Sequence, residues 1–177
     1  MRKWTKHKLG LALLLVLLLV AGGCSSQTDS VIETVLNQQF SGPDEELIAL
    51  LEDPENLAII GDDEQKRAPS STDLEDYLQE TYGSLIIENS YQEIVSNAVH
   101  IQTAAAENNY SLKAEDFQLN QSDANEKEYD FSFDVVYEGN ENSGEQEISG
   151  KAFVNENDKI ADIRFDESLQ SLLNALE

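Results

Sequence analysis

The stretch EYDFSFDVVYEG, residues 128–139, decides the fold. Tyr129, Phe131, Phe133, Val135 and Tyr137 alternate with Asp130, Ser132, Asp134, Val136 and Glu138. Side chains on a strand point to opposite faces with a period of two, so this pattern reads as a strand with one buried aromatic face. Upstream, YSLKAEDFQLN (110–120) alternates too, but loses step near Glu115 and Asp116, as a bulge does. Downstream, the loop GNENSGEQ (139–146) leads to EISGKAFV (147–154), a turn at NEND (155–158) and KIADIRF (159–165). Four strands joined by short turns make an antiparallel meander.

Before Tyr110 the hydrophobic period is helical. Ser30 and Glu33 fit a capping box, followed by Val31, Ile32, Val35 and Leu36 as an apolar stripe ahead of Phe40. In SGPDEELIALLEDP (41–54), Pro43 suits a first helical position, Asp44, Glu45 and Glu46 suit the positive helix start, and Pro54 stops the helix. Leu47, Leu50 and Leu51 would be its buried side. Residues 61–71 are turn-rich and charged and read as an exposed loop. Thr72 and Glu75 form a second capping box, ahead of Leu74, Tyr77, Leu78 and Tyr82 at helical spacing. Ser90 and Glu93 form a third, opening a helix from Tyr91 to about Glu107 with Tyr91, Ile94, Ala98, Ile101 and Ala105 on one face. At the end of the chain, Leu169, Leu172, Leu173 and Leu176 suit a last short helix.

Helices first and strands second give an α+β fold, with N-terminal helices packed on a curved antiparallel β-meander as a single domain over residues 31–177. The aromatic stripe is expected to face the long helix. Phe131 and Phe133 would be core, with Tyr129 and Tyr137 partly exposed at the two ends. Tyr91, Tyr129 and Tyr137 are then the candidate rim of a pocket between helix and sheet, with tyrosine hydroxyls above an apolar floor.

The N-terminus carries an address. Arg2, Lys3, Lys6 and Lys8 precede the apolar run LGLALLLVLLLV (9–20), and small residues follow. A basic segment, a short apolar segment and a small-residue cleavage site make a secretory signal peptide, here residues 1–23. The run is shorter than the ~20 residues a membrane-spanning helix needs. Ala21-Gly22-Gly23-Cys24 resembles the lipobox of bacterial lipoproteins, although Ala21 stands where that family usually has Leu. The resemblance implies that the Cys24 thiol receives a diacylglycerol and becomes the first mature residue, with palmitate-type acyl chains anchoring the protein to the outer face of the cell membrane. Cys24 is the only cysteine, so it has no disulfide partner within the chain. Residues 24–30 read as the tether.

Charge narrows the partners. Cleavage would remove four of 11 basic residues and none of 35 acidic ones, leaving 7 against 35 and a formal charge of −28. Nucleic acid is thereby an unsuitable partner, because phosphate binding needs clustered Lys and Arg. Anchoring would fall to the lipid rather than to headgroup contacts.

Catalytic motifs are missing. His100, off the apolar face of its helix, is the only histidine after His7 leaves with the signal peptide. Zinc-type sites need three or four ligands, so no His/Cys metal site is expected. There is no G-x-S-x-G and no glycine-rich phosphate cradle, hence no cofactor and no catalytic residue to name. The acidic clusters GDDE (61–64) and NENDK (155–159) lack EF-hand spacing and read as acidic turns. Asp130 and Asp134 share a strand face, but the one opposite the aromatic stripe.

The hairpin FVNENDKIADIRF (153–165), behind an aromatic-alternating strand, resembles the terminal hairpin of NTF2-like (SnoaL-like, cystatin-like) domains, as found in small lipoproteins of Gram-positive bacteria. The resemblance covers about residues 72–166. Family hairpins often carry Gly where this chain has Asp158, and Asn157 and Asp158 are the next best residues for a left-handed turn position. It implies helices lying across a bent sheet, sometimes with a pocket between them. Two functions follow as expectations. One is a non-catalytic module on the outer face of the membrane, binding a small molecule, an envelope polymer or another protein. The other is an NTF2-like isomerase or dehydratase acting in that pocket.

Overall fold

The computed structural model describes residues 27–54, 56, 72–139 and 142–177. Cys24, the apolar run 9–20 and the GDDE cluster lie outside them. The described residues form an α+β fold of five helices and four strands. Helices α1 (Gln27–Phe40), α2 (Glu45–Glu52), α3 (Asp73–Tyr82) and α4 (Glu88–Glu107) come first. Strands β1 (Ser111–Ser122), β2 (Asn125–Glu138), β3 (Ser143–Val154) and β4 (Ile160–Phe165) follow, and α5 (Glu167–Leu176) closes the chain. The sheet is an open antiparallel meander in sequence order, β1-β2-β3-β4.

The bulge lies at the expected place. Glu115 pairs with Asp134 and Gln118 with Ser132, so Asp116 and Phe117 together oppose Phe133. Asp116 takes the left-handed φ of 56° that the extra residue requires. The insertion reverses the parity of β1. Leu112 and Ala114 are buried before it, while Phe117 and Leu119 pack against the core after it. Without the bulge, half of β1 would turn its apolar side to water. Strand β3 starts at Ser143, four residues earlier than its composition suggests, because Ser143–Gln146 pair with Val135–Glu138 of β2. Pairing overrides the weak strand propensity of SGEQ.

Both sheet edges are partly covered by the helical half. Gly42 and Leu112 exchange backbone hydrogen bonds at the β1 edge (2.9 and 2.6 Å). At the β4 edge Ile87 donates to Ile160 (2.9 Å) and Ile160 to Leu85 (2.8 Å). Such pairing removes free edge groups that would recruit another chain.

The largest departure from the sequence reading concerns what covers the aromatic stripe. The long helix α4 was the expected cover. Instead Phe40 of α1, fully buried, meets Phe133 edge-on at 5.1 Å and Phe165 at 5.4 Å. Ile32, Val35 and Leu36 are equally buried. α1 packs against both β1 and α4, and α4 reaches the sheet mainly at β4 and β1. Ile94, Ala98, Ile101 and Ala105 are buried as expected.

Boundaries shift for identifiable reasons. α1 begins at Gln27, so residues 27–30 are helix rather than tether, and Thr28 is buried. The Thr28 hydroxyl donates to Asp158 Oδ1 of the β3–β4 turn (2.7 Å), which fixes the first turn of α1. Ser30 therefore lies inside the helix and is no cap. Asp44, not the residue before Pro43, caps α2, with its Oδ1 accepting from the amides of Glu46 and Leu47. Only Leu47 of α2 is buried, while Leu50 and Leu51 are half-buried. The Thr72–Glu75 capping box of α3 forms in both directions. α4 starts at Glu88 and has no side-chain cap, since the Ser90 hydroxyl donates instead to Ala161 O of β4 (2.5 Å).

One buried amide ties these helices together. Gln102 of α4 is fully buried, and its Nε2 donates to the carbonyls of Gln38, Gln39 and Ser41 (3.2, 3.1 and 3.0 Å). Its Oε1 accepts from the amide of Asp44 (2.9 Å). The last carbonyls of a helix have no partner within it, and here a side chain from another helix supplies one. Gly42 passes so close that a Cβ there would lie 2.1 Å from Gln102 Oε1.

Two truncations test this core. Phe40→Ala should cost ~3–5 kcal/mol, as for other buried aromatics. Gln102→Leu keeps the volume but strands buried carbonyls, and should cost at least about 1–3 kcal/mol. Urea midpoints of the purified variants measure both, and a Phe40→Ala loss below about 1 kcal/mol would contradict the placement of α1.

Candidate functional site

A hollow of about 800 Å³ lies between α2, the C-terminal end of α4, the start of β1 and the end of β2. It exists because α2 is short and seats only Leu47 in the core. Ile48 and Ala49 are left facing a gap whose other wall is Ala106 and Tyr110. The ring of Tyr110 lies flat enough on the chain that a Cβ at Gly139 would come within 2.5 Å of it. Three carboxylates, Glu45, Glu52 and Glu138, line the same cleft, and among the described residues no Lys or Arg does. An apolar floor with an acidic rim can hold a group that is greasy on one side and cationic on the other.

The three candidate rim tyrosines do not come together. Tyr137 stands nearest the cleft, with its ring edge-on to Tyr110 at 5.9 Å. Tyr129 corrects the expectation of an exposed end. It is only 5 % exposed, and its hydroxyl accepts from Gln121 Nε2 of the neighbouring strand (3.1 Å). Gln121 and Tyr129 are register partners, so the β1–β2 hairpin itself closes over that ring. Tyr91 lines a separate hollow of about 550 Å³ with Gly83, Ile86, Ile87 and Lys159. Burial raises its hydroxyl pKa above the usual tyrosine value. Phe131 and Phe133 are core, at 3 % and 1 % exposure.

A third hollow, about 190 Å³, holds a polar pair that the sequence reading overlooked. Tyr77 of α3 donates its hydroxyl to Asp44 Oδ2 at 2.5 Å. Asp44 thus caps α2 with one oxygen and binds α3 with the other. Burial alone would raise the Asp44 pKa, but the Tyr77 hydroxyl and the amides of Leu47 and Glu46 outweigh it and hold the carboxyl below its usual range. Tyr77 is pushed up to about 12, first by burial and then by its bond to Asp44. Because Asp44 begins α2 and Tyr77 belongs to α3, their bond works as a clasp between the two helices. The sequence signal was present but divided: Asp44 read as a helix-start acid and Tyr77 as an apolar-face residue.

Remaining candidates fall at the surface. His100 is exposed. Asp130 is exposed and ion-paired with Lys151 (3.0 Å). The NENDK cluster folds on itself: Asn155 Oδ1 accepts from the amides of Asn157 and Lys159, and Asp158 takes a φ of 57° while binding Thr28. Among the described residues no group of three or more His, Cys, Asp or Glu side chains is placed to hold a metal ion. No helix among them is long and apolar enough to cross a membrane.

No protein-family model, no curated protein and no solved structure matches the chain.

The Asp44–Tyr77 clasp has a pH signature. An unfolded tyrosine titrates near about 10. Because folding raises that value, the clasp contributes fully below about pH 10 and is lost as pH rises to about 12. For Asp44 the folded value is depressed, so its contribution is present above the ordinary carboxylate range and is lost as pH falls through the folded value. Between about pH 10 and 12 the urea midpoint of the parent should therefore fall more steeply than that of Tyr77→Phe. At neutral pH, Asp44→Ala should cost about 1–2 kcal/mol through the lost cap, and less at pH 2. Parallel alkaline slopes for parent and Tyr77→Phe would show that the pair does not form in solution.

Proposed function

We propose that the chain is an extracytoplasmic lipoprotein, anchored to the bacterial cell membrane through a lipidated Cys24, whose folded domain is a non-catalytic binding or interaction module of the cell envelope. The observation that carries the choice of module over enzyme is the placement of Phe40. In an NTF2-like enzyme the reaction would occupy the space between helix and sheet. Here that space is filled by fully buried side chains of α1, with Phe40 in ring contact with Phe133 and Phe165. A close-packed interior leaves no room for a substrate.

The proposed module has an NTF2-like architecture. It is supported by helices that precede an antiparallel meander and by the left-handed Asp158 in the last hairpin. It would have to include α1 and α5 as well, since Ile32, Leu36, Leu172 and Leu176 are as deeply buried as the sheet. The open cleft beside Tyr110 is the surface on which a partner, either a small molecule or an envelope protein, would bind. Its three carboxylates favour a cationic group on that partner.

The anchor reading rests on the basic residues 2–8, the apolar run 9–20 and the small residues before the lone Cys24. Two acyl chains on one residue suffice for stable anchoring where a single chain is marginal. Metabolic labelling with palmitate in a bacterial host tests it. The parent should take up label and fractionate with membranes, and Cys24→Ala should take up none. Absence of label from the parent, with an intact Cys24 thiol by mass spectrometry, would end the lipoprotein reading.

A further inference from the structure

We infer that the domain stands on the membrane by one pole, formed by the start of α1 and the β3–β4 turn, and turns the acidic cleft at its opposite pole outward. This rests on the lipoprotein reading of Cys24 and adds to it a membrane-facing surface and a direction for the binding site.

Covalent length limits how far the domain can stand from Cys24. α1 starts at Gln27, so only Ser25 and Ser26 separate the helix from Cys24. Consecutive Cα atoms are 3.8 Å apart, so the start of α1 lies within about 11 Å of the Cys24 Cα however those residues are arranged. A diacylated cysteine sits at headgroup level, since its acyl chains are in the bilayer. The tether cannot lengthen cheaply by unwinding α1. Thr28 is buried and donates to Asp158, and Ile32 one turn on is fully buried.

What surrounds that point is fixed by the sheet. Asp158 belongs to the β3–β4 turn, and Lys127 at the start of β2 places its ammonium on Asn155 O of the same turn (3.4 Å). Lys159 lies beside it, reaching Gly83 O (3.5 Å). The start of α1, the β3–β4 turn and the start of β2 therefore form one end of the molecule. The cleft is at the other end. α1 runs away from the anchor for 14 residues, about 21 Å, and then pairs through Gly42 with Leu112, which is opposite Tyr137. Glu138 and Gly139, the cleft wall, follow directly. α4 runs the same way, from Ile87 beside Ile160 to Ala106 in the cleft.

Charge keeps the molecule from lying down. The exposed side of α3 and α4 carries Asp73, Glu75, Asp76, Glu80 and Glu93, which an anionic membrane repels. The five described Lys and Arg residues divide by position. Lys113, Lys151 and Arg164 are ion-paired with carboxylates, whereas Lys127 and Lys159, at the anchor pole, meet backbone carbonyls instead. That pole also bears Glu126 and Glu156, so the short tether, not headgroup affinity, holds it down.

The lone cysteine makes the test clean, because a lipidated Cys24 no longer reacts with thiol reagents. Full-length protein carrying Glu156→Cys at the anchor pole, or Glu107→Cys at the cleft pole, is purified from membranes, labelled with a fluorophore and placed in mixed phosphatidylcholine and anionic phosphatidylglycerol vesicles containing nitroxide-headgroup lipid. Mass spectrometry of the same samples reports lipidation. With Cys24 lipidated, the label at 156 should be quenched severalfold more than the label at 107. Inserting about twelve Gly/Ser residues between Ser26 and Gln27 should remove most of that difference. Equal quenching at both sites with the parental tether, or stronger quenching at 107, would overturn the orientation while leaving the lipoprotein reading intact. An unlipidated Cys24 would instead remove the reading on which the orientation rests.

Discussion

The carbonyls that end α1 have no donors within their own helix, and a single amide from α4 meets them. Gln102 satisfies Gln38, Gln39 and Ser41 with its nitrogen and the amide of Asp44 with its oxygen. Buried backbone groups without partners are costly, so the α1–α2 corner can sit in the interior only where this side chain reaches it. Once there, the corner directs the rest. Phe40 enters the aromatic stripe of β2, Gly42 pairs with the edge of β1, and Asp44 starts α2.

The cleft is a consequence of that corner. α2 leaves it with Asp44 as cap and Tyr77 as clasp, seats Leu47, and keeps Ile48 and Ala49 out of the core. Its polar partners fix its direction, and its short length leaves a gap against Tyr110. The same geometry removes an interior pocket and supplies a surface one. The space between helix and sheet is filled, and the open groove carries Glu45, Glu52 and Glu138 on its rim.

The two ends of the fold are related through α1. The helix is the first described element and also the plug of the core, and its first turn is tied to the last hairpin through the bond from Thr28 to Asp158.

Much of the architecture was legible from residues alone. The two-residue period of Tyr129–Tyr137, the loss of step at Asp116, the Thr72–Glu75 box and the leucines of α5 each specify local structure through short-range geometry, and each is found in place. The acidic balance and the run before Cys24 likewise depend on composition and order, not on folding. Tertiary structure alone decided which helix covers the aromatics, because α1 and α4 both offer an apolar stripe of the right period and nothing local chooses between them. It decided that Tyr129 is buried and Tyr137 only half-buried, since that depends on Gln121 and Tyr110, partners from another strand and another loop. It also turned Gln102 into the keystone of the corner. Gln102 lies four residues after Ala98 on the buried face, and a polar residue on such a face reveals its role only when the carbonyls it serves, some sixty residues earlier in the chain, are folded against it.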